Sequence, residues 1–209
     1  IAPKKIQQLQ LKKALTQLKE FFAEKEQGEA QASAAAATGS FEAGTWKFLS
    51  ATYVKGLPPD KPLPECRALE TAGVLSTLRA TDEELLLGEV LEGKVIVSHR
   101  WETKEHPDPK CSKLKIIQDY LWSRPDINAI WLDFTCLPQG AKSTEEASFF
   151  DYCLKTVNLL YLAGQVVVFV DGQYNTRFWT QFEFFCCTHR GSTRGLVPKS
   201  TAEFDRRVN

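Results

Sequence analysis

"VIVSHRWETKEHPDP", residues 95–109, changes character in its middle. Three β-branched apolar residues read as a strand leaving a core, and Ser98, His99, Arg100 and Trp101 follow without a break. A hydroxyl, an imidazole, a guanidinium and an indole at a strand end admit two readings. One is a strand running out into a polar loop. The other is the floor of a ligand crevice, because open parallel sheets bind ligands outside the carboxyl ends of their strands.

The flanking sequence repeats the pattern. "KVIVSH" (94–99), "INAIWLDF" (127–134) and "QVVVFV" (165–170) are short, apolar and β-branched, as strands covered on both faces should be. Helical signals separate them. Ser112 reads as the N-cap of a helix with Leu114, Ile117 and Leu121 on one face. Ser143 and Glu146 form a capping-box signature, followed by Phe150, Cys153, Leu154, Val157, Leu160 and Tyr161 on one face and Gly164 as a stop. Thr81 and Glu84 mark an earlier helix starting near Asp82, and "RFWTQFEFFCCTHR" reads as a last one. Alternating strands and helices predict βαβ units and a parallel sheet, with 94–99 between the other two strands.

Upstream, residues 1–26 predict an amphipathic helical arm whose stripe is Leu11, Leu15, Leu18 and Phe22. Residues 27–64 read as a linker and proline-rich segment, from "QGEAQASAAAATGS" to "KGLPPDKPLP". Residues 65–209 then form the α/β domain.

Composition narrows the function classes. Lys plus Arg and Asp plus Glu number 26 each, so no basic excess points to nucleic acid. No apolar run is long enough for a membrane span. The six cysteines are scattered without a CxxC pair, which predicts core thiols in an intracellular, cytoplasmic setting, with an organelle reached after processing left open. The chain opens on Ile1 and has no Met, so it reads as a processed or partial product. His99, His106, His189 and the cysteines lack zinc-ligand spacing, so no metal is expected. Cys136 with a distant His could form a nucleophile pair, but no base geometry is readable. There is no GxGxxG and no Walker motif.

Four segments in order carry a family resemblance: "VSHRW", "IWLDFTCLPQ", "LLYLAG" and "RFWTQFE". Together they resemble the heterokaryon-incompatibility (HET) domain, which runs "SYxWG", "WIDxxCINQ", "IYxxA" and "RxWTxQE", and its divergent relative, the Toll/interleukin-1 receptor (TIR) domain. The resemblance covers about residues 94–190. It implies a flavodoxin-like, three-layer α/β fold, with the final strands either absent or lying past Asn209. It also implies two functional classes. Many such domains are assembly or signalling modules, which predicts binding to other protein subunits or self-association, with the arm joining a larger complex. Enzymatic TIR domains cleave the nicotinamide–ribose bond of NAD with a glutamate four residues after a Trp. That offset makes Glu183 the candidate catalytic carboxylate, Trp179 a candidate ligand contact and NAD a substrate, with no cofactor required. Ser98, His99, Arg100, Trp101 and Asp133 complete the candidate ligand-binding set.

Overall fold

The computed structural model describes residues 44–192 and 195–199. The arm over 1–26, with its Leu11–Phe22 stripe, lies outside the described residues, as does the linker up to residue 43.

The architecture is α/β, with a mixed five-stranded sheet flanked by helices. Its strands are β1 (Thr45–Ser50), β2 (Leu75–Arg79), β3 (Lys94–Ser98), β4 (Ala129–Trp131) and β5 (Gln165–Val168), in the order β2-β1-β4-β3-β5. The three strands read from the sequence are all present, but the second is shorter than expected: β4 ends at Trp131, and Asp133 and Phe134 already belong to a helix. β3 lies between β4 and β5 and is parallel to both, with Val95 opposite Ile130 and Ser98 opposite Val168.

The expected all-parallel sheet is corrected by β1 and β2. β1 pairs antiparallel with both β2 and β4, so the sheet is mixed. β1 falls inside the stretch read as linker, as does α1 (Ala51–Gly56). In β1 the side chains of Trp46, Phe48 and Leu49 are fully buried. Two large aromatics alternating with Thr45 and Lys47 supply this strand's core face.

The remaining helices are α2 (Cys66–Thr71), α3 (Asp82–Leu87), α4 (Ser112–Ser123), α5 (Asp133–Cys136), α6 (Thr144–Ala163) and α7 (Phe178–Cys187). The chain moves from β3 outward to β4 through α4, then back across β3 to β5 through α6. Right-handed crossovers in opposite directions put α4 and α6 on opposite faces of the sheet. Accordingly α4 packs with α1, and α6 packs with α3 and α7.

Both capping boxes form: Thr81 with Glu84, and Ser143 with Glu146. Ser112 is not the cap of α4. Cys111 holds that position with φ 59°, and Asp108 does the capping chemistry, accepting from the Lys113 and Leu114 amides at 2.9 and 2.8 Å. On α6 the buried set is Phe149, Cys153, Val157, Leu160, Tyr161 and Leu162; Phe150 and Leu154 face outward in part. Gly164 ends α6 with φ −78°, so left-handed geometry is not the reason for glycine there. A Cβ at Gly164 would land on Ile96 Cδ1 and 2.7 Å from the Leu160 carbonyl oxygen.

β5 is an edge strand, and only its Val166 is fully buried; Val167, Val168 and Phe169 are half-buried rather than core. No further strand joins this sheet after β5 among the described residues. β6 (His189–Ser192) and β7 (Gly195–Pro198) pair antiparallel as a separate two-stranded sheet. All six cysteines are buried and unpaired.

Candidate functional site

The parallel strands run in the order second-first-third, so the connections from β3 and β5 diverge to opposite faces. The crevice this creates lies outside the carboxyl ends of β3 and β5. Ser98 closes β3, and α7 begins nine residues beyond Phe169, at the same edge.

Ser98 is fully buried and donates to Glu183 Oε2 at 2.5 Å. The Tyr174 hydroxyl, 2.6 Å from Ser98 Oγ, is left to donate to it. The Tyr161 hydroxyl, which donates to the Val97 carbonyl at 3.5 Å, lies close enough to Glu183 to influence its carboxyl. Burial pushes the Glu183 carboxyl up to about 7; the Ser98 hydroxyl opposes this, and the nearby Asp133 charge adds to it. Glu183 therefore stands near neutrality between its acid and its base form, which is the condition for proton transfer at physiological pH.

The adjacent side chains build a second cluster. His99 Nε2 meets Asp133 Oδ1 at 3.1 Å, and Trp101 Nε1 donates to Asp133 Oδ2 at 2.7 Å. Burial works to raise the Asp133 carboxyl, but His99, Trp101 and the Phe134 amide outweigh it and hold it below the usual carboxylate range. An ionised Asp133 accepts from His99 Nε2, and His99 Nδ1 is buried with no hydrogen-bond partner among the described residues. Phe134 packs edge-on to the Trp101 ring at 5.5 Å, so the indole is fixed from two sides.

Arg100 belongs to neither cluster. Its Nε and Nη2 both reach Asp171 Oδ2 at 2.9 Å, and Nη1 donates to the Trp101 carbonyl. Arg100 holds the Asp171 carboxyl low and ties the end of β3 to the loop after β5. Trp179 also stands apart. Its ring, 44% exposed, packs against Phe178 and Phe182 on the outside of α7.

Of the predicted site residues, the fold thus joins Ser98 to Glu183, and His99 and Trp101 to Asp133. Tyr161 was read only as part of an apolar helix face, and its hydroxyl gives no signal in a periodicity argument. Lys113, which bonds the Arg100 and Pro107 carbonyls and Glu102, was likewise not singled out. Beside Trp101 opens a cleft of about 340 Å³ lined by Trp101, Glu102, Thr103, Lys104 and Arg177.

Other chemistries find little support. Burial pushes the Cys136 thiol up to about 11, which removes thiolate nucleophilicity at neutral pH. Among the described residues no group of three or more His, Cys, Asp or Glu is placed to hold a metal ion, and no helix is long and apolar enough to cross a membrane. Compared with protein-family models, curated proteins and solved structures, the chain matches none.

Proposed function

We propose that this chain is a TIR/HET-like protein-interaction module whose working surface is the outer face of α7. The observation that carries this reading is the aromatic patch there. Phe178 is 60% exposed and Trp179 44% exposed, and both touch the ring of Phe182. Val170, 63% exposed, precedes this helix at the same sheet edge. A clustered patch of large aromatics in water marks a binding surface, whereas a single exposed apolar residue does not. The polar side chains beneath are mostly spoken for: Ser98, Arg100, Trp101 and Asp133 all bond to protein partners. That pattern suits a cluster that holds β3, α5 and α7 together.

The test is selection of a displayed peptide library on the parent and on the Phe178→Asp/Trp179→Asp variant. Enrichment on the parent that the variant loses supports the interaction surface. Equal enrichment on both removes it.

A second reading has its own observation. Glu183, with its carboxyl near 7 and bonded to Ser98 at the crevice edge, supports an NAD nucleosidase. In that chemistry nicotinamide leaves as a neutral group while the ribose becomes oxocarbenium-like, and a carboxylate beside it stabilises the positive charge. Release of nicotinamide from NAD, lost in Glu183→Ala with the fold intact, is the test.

A further inference from the structure

We infer that the partner segment is acidic and amphipathic, and that it docks with carboxylates in the Trp101 cleft and apolar side chains on the α7 aromatics. This rests on the interaction reading above and adds the chemistry of the partner.

The cleft and the patch adjoin at the start of α7. Arg177 lines the cleft with Trp101 and Lys104, and the next two residues, Phe178 and Trp179, begin the aromatic patch. Lys104 and Arg177 are exposed, and among the described residues neither side chain has an ion-pair partner. The cleft's acid, Glu102, is already paired with Lys113 at 3.1 Å. The cleft therefore presents two uncompensated cations.

Arg177 is also the N-cap residue of α7, whose first turn carries no acidic side chain. A cation at the positive end of a helix is electrostatically unfavourable, and a bound carboxylate relieves both charges. Trp101 adds a flat apolar wall whose orientation is set by its bond to Asp133 and by Phe134. A segment with acidic residues next to bulky apolar ones matches both halves of the surface.

The charge balance argues against larger polyanions. Surface attraction to anionic lipid typically takes clusters of about four to eight basic residues. Nucleic-acid binding likewise draws on a basic excess, and here the formal net charge is zero. Two cations in one cleft fit one or two carboxylates.

The experiment uses fluorescence anisotropy of the full chain with three labelled amphipathic peptides that share one pattern of Leu and Phe. Their polar positions are all Glu, all Gln or all Lys. Vesicles of anionic lipid and adenosine monophosphate serve as competitors. The inference predicts that the Glu peptide binds tightest and weakens with added salt. Lys104→Glu, in an exposed loop, and Arg177→Gln should each weaken the Glu peptide about three- to tenfold, and the Gln peptide clearly less. Equal binding of the Glu and Gln peptides, both lost in Phe178→Asp/Trp179→Asp, overturns the acidic partner and leaves the interaction surface standing. Binding that the α7 variant does not alter overturns both. Displacement of the Glu peptide by the mononucleotide at lower concentration, or capture by the vesicles in preference to the peptide, overturns the inference in favour of a small anion or a lipid surface.

Discussion

The Ser98 hydroxyl donates to the Glu183 carboxyl at 2.5 Å, joining the last residue of β3 to the second turn of α7. This bond crosses 85 residues of chain and bridges the sheet to the helix that carries the exposed aromatics. It places a titrating carboxyl at a packing junction, and the consequence is readable as pH-dependent stability.

An ordinary Glu titrates at 4.5, and burial raises Glu183 in the fold to about 7. Between those values the folded protein keeps a proton that the unfolded chain has released. The stabilisation from this group is complete below the unfolded value and is lost as pH rises through the folded one, by on the order of 3 kcal/mol. Glu183→Gln stays neutral throughout. Its stability relative to the parent should therefore improve steadily from about pH 4.5 to pH 7, measured by urea unfolding across that range. A difference that does not move with pH would contradict the raised carboxyl.

Trp101 shares Asp133 with His99. Trp101→Phe keeps the ring and removes the indole N–H at 2.7 Å from Asp133 Oδ2. The Asp133 carboxyl should titrate higher in the variant, visible in its side-chain carbon shift by NMR. The fold should lose about 1–2 kcal/mol.

Asp108, not Ser112, caps α4, with acceptor contacts to two backbone amides and to the Ser112 hydroxyl at 3.1 Å. Asp108→Ala should cost about 1–2 kcal/mol. Ser112→Ala leaves both amide bonds in place and should cost clearly less. Thermal unfolding of the two variants side by side decides the order.

Gly164→Ala adds a methyl where α6 meets β3, against Ile96 Cδ1 and the Leu160 carbonyl. The backbone there suits alanine, so the cost is steric, about 1–3 kcal/mol. Trimming the neighbour in Gly164→Ala/Ile96→Val should recover part of it, giving a favourable coupling in a double-mutant cycle.

Much of this arrangement was legible because two periodicities agree with topology. The apolar runs of β3, β4 and β5 and the capping boxes at Thr81 and Ser143 identify the parallel half of the sheet. Its strand order brings Ser98 and Glu183 to one edge. β1 was illegible for a physical reason. It is six residues long, lies in an Ala- and Pro-rich context, and takes its place in the sheet by pairing with β4 and β2, partners that no local pattern names. The Arg100–Asp171 pair was hidden similarly, because three carboxylates gather at that edge and only geometry chooses among them. Trp179 shows the limit of motif spacing: four residues before Glu183 it shares the helix, yet its ring packs on the outer face with Phe178 and Phe182.

The most direct test of the central claim is incubation of the purified chain with NAD, following free nicotinamide by chromatography. No release above that of buffer alone is expected, because the cluster around Ser98 and Glu183 ties β3 to α7 and the proposed binding surface is the α7 face. Steady nicotinamide release that Glu183→Ala abolishes, in a variant still folded by circular dichroism, would contradict it and make Glu183 a catalytic residue.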